Sequence, residues 1–183
     1  MSVLLRAAIR LRYSLSPYIY IAARITYDTG ISMCRPMYYD YPEASEAYEW
    51  KQQYMFGDDI LVAAIDKPAD TQTGLSEQTW WLPAGNDWYD AATGTLLEGG
   101  VKVLGRYTID ENPYFIKAGA VIPMASPEIT NLQDSNNELY LLVAPGDSDA
   151  NASVYEDDGN TRPIRPIMLS PGLPRHSPME RLS

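Results

Sequence analysis

The chain has 183 residues, 45% hydrophobic and 21% charged, enough for one domain or two small ones with a true core. A formal net charge of −10 argues against phosphate-backbone binding and gives no electrostatic pull toward anionic lipid. No apolar run approaches the ~20 residues of a membrane span, and one cysteine with one histidine exclude an internal disulfide and a zinc site built from several Cys or His ligands.

Residues 2–29 read as helix, since Leu4, Leu5, Ala8, Ile9, Leu11, Leu15, Ile19, Ala22 and Ile25 recur at three- and four-residue steps. Arg6, Arg10 and Arg12 lie inside the first apolar stretch, which therefore does not read as a signal peptide. Ser16-Pro17 predicts a bend, with Ser16 as N-cap and Pro17 at the first helical position. Gly30 is placed to end the helix in the left-handed conformation. "ISMCRPMYYDYP", 31–42, reads as a strand covered on both faces, with Cys34 a buried small residue, and 43–55 as loop and short helix.

From residue 57 the pattern changes. Apolar runs at 60–65, 79–83, 94–100, 102–109, 114–124 and 138–145 are separated by Gly, Pro, Asn and Asp, which predicts short strands in an antiparallel β-sandwich. Residues 162–183 differ from everything before them. They hold five prolines, four arginines and one acid, while the remainder holds ten basic and 23 acidic residues. Disorder is predicted there, and His176, the one histidine, falls in this tail.

A histidine in such a tail cannot serve nucleophilic catalysis, and no glycine loop of the phosphate-cradling kind is present. Carboxylates remain. Glu156, Asp157 and Asp158 in "VYEDDGNT" lack the alternation and the distant glutamate of a calcium loop. Neighbours on a strand also point to opposite faces, so the three do not flank one glycosidic bond. They read as a turn, as does Asp58-Asp59 leading into a strand. Trp80, Trp81, Trp88 and Tyr89 raise a second possibility, a stacking platform in a non-catalytic carbohydrate-binding β-module. Adjacent strand residues face opposite ways, which makes core packing the stronger reading of Trp80 and Trp81.

Taken in order, "RLRYSLSPYIYIAARITYDTGISMCRPMYYDYPEASEAY", "QYMFGDDILVAAI", "WWLPAGNDWYDAATGTLLEGG", "PYFIKAGAVIPM" and "YEDDGNT" resemble the C-terminal third of glycoside hydrolase family 31, of a bacterial α-glucosidase or α-xylosidase type. The resemblance covers about residues 5–161. It implies a mainly β fold: an antiparallel β-sandwich preceded by a helix–strand remnant of a (β/α)8 barrel and followed by the start of a second β-domain. The implied division is 1–56 as the last barrel helix and strand, 57–127 as the proximal β-domain, 128–161 as a truncated distal β-domain, and 162–183 as the tail.

The family's retaining hydrolysis uses an aspartate nucleophile and an aspartate acid/base. Both precede the matched region, so no catalytic, cofactor-binding or metal-binding residue carries over. "WYD" at 88–90 matches W-x-D by letters alone. The resemblance thus implies an inactive part that braces the barrel and meets an α-glucoside only through the parent enzyme. Neither nucleic acid nor membrane is an expected partner. Self-association is expected through barrel-facing surface and an unpaired distal sheet edge.

Overall fold

The computed structural model describes residues 3–129, 138–147, 154–155 and 180–182. They form two compact units, one joining Met1–Met33 to Gly119–Ser183 and the other Cys34–Ala118. The first combines two helices with a small antiparallel sheet, and antiparallel strands dominate the second.

In the first unit, α1 (Val3–Ser14) and α2 (Ser16–Thr29) meet at Leu15. The expected break is there, but Ser16 is not its cap. Pro17 cannot donate to the Tyr13 carbonyl four residues back, and the Ser16 hydroxyl donates to that carbonyl instead, at 2.6 Å. Leu15 holds the N-cap position and Ser16 is the first residue of α2, its hydroxyl replacing the bond that Pro17 cannot make. Gly30 closes α2 as expected, with φ of 75° and its N–H donating to the Thr26 carbonyl.

Three strands share this unit: β9 (Val121–Met124), β10 (Tyr140–Val143) and β11 (Glu180–Leu182), in the order β11-β10-β9. Val121 pairs with Val143 and Met124 with Tyr140. Pro123, which has no N–H to give a ladder, sits on an outer strand. The tail expected to be disordered supplies β11, because β10 offers an open edge to any extended segment.

The second unit contains β1 (Cys34–Pro36), α3 (Met37–Asp40), α4 (Glu46–Glu49), β2 (Gln53–Phe56), β3 (Ile60–Ala63), β4 (Ser76–Trp81), β5 (Trp88–Asp90), β6 (Leu96–Leu97), β7 (Lys102–Tyr107) and β8 (Tyr114–Lys117). Six strands form one antiparallel sheet in the order β1-β2-β3-β8-β5-β6, and β4 pairs with β7. The core lies between these two sheets: Met55, Leu61, Trp88 and Phe115 from one meet Trp80 and Trp81 from the other.

Gln53 clasps the two together. Its side-chain amide is buried, donating to the Trp81 carbonyl at 2.7 Å and accepting from the Trp81 N–H at 2.8 Å. The amide thus continues the β4 ladder where a strand is missing.

The strand expected over 31–42 shrinks to three residues and gives way to α3. It pairs antiparallel with β2, which places it in the sheet of this unit. Alternation along β1 turns Arg35 inward and leaves Cys34 exposed, opposite to the expected burial of Cys34. The run expected over 114–124 splits at Gly119, φ 88°, into β8 and β9 of different sheets.

Candidate functional site

Arg35 is the one charged side chain buried among the described residues, at 6% exposure. Its Nε donates to both oxygens of Asp40, at 3.0 and 2.9 Å. Its Nη2 donates to the Gly57 carbonyl at 3.0 Å and to Asp58 at 2.9 Å. Burial opposes the charge, but the two carboxylates outweigh it and hold the guanidinium above its ordinary pKa. The fork thereby ties the end of α3 to the β2–β3 turn.

Asp58 and Asp59 form that turn, as expected from sequence. Burial raises the Asp59 carboxyl, with Asp58 adding to the rise and Lys117 opposing it. Glycoside cleavage needs a raised carboxyl and a second carboxylate flanking one bond. Here the neighbouring acid is committed to Arg35.

Asp90, the aspartate of "WYD", is equally structural. Its Oδ1 accepts the N–H groups of Ala92 at 2.8 Å and Thr93 at 3.3 Å. Asp70 makes the same turn: its Oδ1 accepts from Gln72 at 3.0 Å and Thr73 at 2.8 Å. In both loops the following glycine N–H returns to the aspartate carbonyl at 2.8 Å. D-x-x-T-G is a repeated turn in this chain, closing the β5–β6 hairpin at Asp90 and standing in the link from β3 to β4 at Asp70. Glu156, Asp157, Asp158 and His176 lie outside the described residues.

The four aromatics that suggested a sugar platform are all buried: Trp80 and Trp88 at 0%, Trp81 at 5%, Tyr89 at 6%. Trp88 Nε1 donates to the Pro83 carbonyl and Trp80 Nε1 to the Tyr107 hydroxyl. Their faces are spent on the core, which removes the stacking surface that a binding module would need.

One open feature is a cleft of about 420 Å³ beside α3 and α4, walled by Tyr41, Trp81, Asp40, Glu43 and Glu46. Tyr41 stands edge-on to Trp81 at 5.8 Å. Burial, with Asp40 adding to it, pushes its hydroxyl up to about 12, so it stays a neutral donor. Nearby, Tyr38 and Tyr48 stack at 5.6 Å and both are exposed. Nothing in the spacing of 37–48 announces this cleft, because its wall is completed by Trp81 from a distant strand. The cleft has acids and aromatic edges, and its Asp40 is held by Arg35. Among the described residues no three His, Cys, Asp or Glu side chains group as metal ligands, and no helix is long and apolar enough to cross a membrane.

A family model for the glycosyl hydrolase family 31 C-terminal domain matches residues 30–122. An alpha-xylosidase of Saccharolobus solfataricus is 37% identical over 153 residues, 84% of this chain and 20% of that protein. Alpha-glucosidase 2 of Bacillus thermoamyloliquefaciens is 30% identical over 159 residues, 86% of this chain and 19% of that protein. Among solved structures, a cycloalternan-forming enzyme from Listeria monocytogenes, in complex with a pentasaccharide substrate, superposes with a TM-score of 0.73. It shares 39% identity over 87% of this chain and 15% of that one. A GH31 alpha-xylosidase from Xanthomonas citri gives 0.69 with 34% identity, over 82% of this chain and 16% of its own. The chain therefore spans a fifth or less of the length of these relatives.

Proposed function

The chain belongs to glycosyl hydrolase family 31, and from that premise we propose that it is the C-terminal, non-catalytic part of a retaining α-glycosidase. Its work is to brace the catalytic barrel, and alone it hydrolyses nothing. One observation carries this reading: the matching model is that of the family's C-terminal domain, over residues 30–122. Three carboxylates of the matched region support it. Asp58, Asp70 and Asp90 are engaged by Arg35 or by backbone amides, so none is poised against a sugar.

Helices α1 and α2 then belong to the end of the barrel, the sheets of the second unit to the proximal β-domain, and β10, with β9 paired to it, to the distal one. The nucleophile and the acid/base lie in barrel sequence that precedes the matched region. The parent's substrates are α-linked glucosides or xylosides, the classes named for the relatives.

The chain is to be incubated with chromogenic 4-nitrophenyl α-glucoside and α-xyloside. No release above buffer is expected. Turnover that survives purification and is lost on substituting any carboxylate of the chain would overturn the placement of the chemistry upstream.

A further inference from the structure

We infer that the C-terminal strand β11 is a built-in cap, docked on an edge of β10 that would otherwise accept an extended segment from another chain. β10 has two edges, and β9 takes one of them. On the other, Leu141, Leu142 and Val143 face Leu182, Arg181 and Glu180 in antiparallel register. An open strand edge presents a row of amides and carbonyls and pairs with whatever extended backbone it meets. Here the occupant is seated: it is a later segment of the same polypeptide, Glu180–Leu182.

The tail's composition explains why this stretch docks. Proline cannot donate to a ladder, and five prolines fall between residues 163 and 178. Residues 179–183 are the longest proline-free run of the tail, and β11 lies within it. Charge favours the same contact. The tail from residue 162 carries four arginines against one acid, while the rest of the chain carries 23 acids against ten basic residues. A basic tether is drawn to an acidic body, which raises the local concentration of the docking strand. A three-residue strand is also a poor template in turn, so the cap leaves a blunter edge than the one it covers.

Amide hydrogen exchange on the full chain tests this against two variants. One lacks residues 178–183. The other carries Glu180→Pro with Arg181→Pro, which removes two consecutive amides, one of which points at β10 whatever the register phase. Expected in both is at least tenfold faster exchange at those amides of 141–143 that face β11, with the Ala144 amide, bonded to the Ala120 carbonyl on the β9 side, unchanged. A synthetic peptide of residues 176–183 added to the truncated chain is expected to restore the protection. Unchanged exchange in both variants overturns the cap. Equal loss at Ala144 overturns it too, since the tail would then be holding the sheet together rather than covering its edge.

Discussion

The side chain of Gln53 both donates to and accepts from the backbone of Trp81 where water does not reach, at 2% exposure. A buried backbone group left unpaired costs about 1–3 kcal/mol. Gln53→Leu keeps the volume but orphans two such groups, so a loss of about 2–4 kcal/mol is expected. The midpoint of urea unfolding, read by tryptophan fluorescence, measures it; an unchanged midpoint would show that the amide clasp contributes nothing net. Asp59 works in the other direction. Burial raises its carboxyl above the ordinary value of 3.8, so the folded chain binds that proton more tightly than the unfolded one. Its contribution is fully present below the ordinary value and is lost as pH rises through the folded one. Asp59→Asn is therefore expected to unfold at a higher temperature than the parent at neutral pH, with the advantage disappearing near pH ~3, where both side chains are neutral. A constant difference across the titration would refute the assignment. Neither role was visible in the sequence. Gln53 falls in a stretch that reads as loop and short helix, and Asp59 reads as one half of an ordinary Asp-Asp turn.

At the scale of elements, the repeated turn shows how local chemistry decides a connection. Asp70 to Leu75 and Asp90 to Thr95 close with the same bonds: aspartate oxygen to the amides two and three residues on, and threonine Oγ1 to the amide two residues after it. Gly74 and Gly94 both sit at φ of 69° with open space where a Cβ would go. Backbone conformation alone then sets the cost of Gly74→Ala or Gly94→Ala, about 1–2 kcal/mol each. Thermal unfolding of the single variants checks this, and a loss below about 0.3 kcal/mol at both sites would mean that the loops relax at no cost. Aspartate and glycine act in these turns through nearest neighbours, whereas the apolar pattern put Gly94 and Thr95 in a strand expected over 94–100, of which only Leu96–Leu97 forms. The strand at 34–36 was only half legible. Pattern reading expects an apolar run to bury its small cysteine, whereas alternation buries Arg35, whose partners Asp40 and Asp58 lie 5 and 23 residues away. An ion pair across that separation leaves no periodic signal. Ser16 is an intermediate case: the Ser-Pro break was readable, but the hydroxyl's role in replacing proline's missing bond needed coordinates.

For the whole molecule, the co-linear motifs carried the family, while composition and period alone reached only antiparallel β. Family membership bears most directly on the surface. On α1, Leu5 at 53% and Ile9 at 37% exposure stand four residues apart on one helix face, and α2 adds Ile25 at 39%. In the other unit Tyr38, Tyr39, Leu104 and Ile109 are also exposed, the last at 92%. In the proposed parent, faces of this kind meet the barrel. In the isolated chain they meet water, and self-association would bury them. Opposing that is a net charge of −10, which makes each copy repel the next. Repulsion reaches about 30 Å at 0.01 M salt and about 3 Å at 1 M, whereas the gain from burying apolar area survives added salt. The balance therefore turns on ionic strength. The chain is expected to sediment mainly as monomer in dilute salt and as larger species at about 1 M, with binding of a dye for exposed apolar surface falling as the species grow. A monomer at both extremes, with no dye bound at either, would mean that these side chains already shield one another and that the faces attributed to barrel contact are not adhesive.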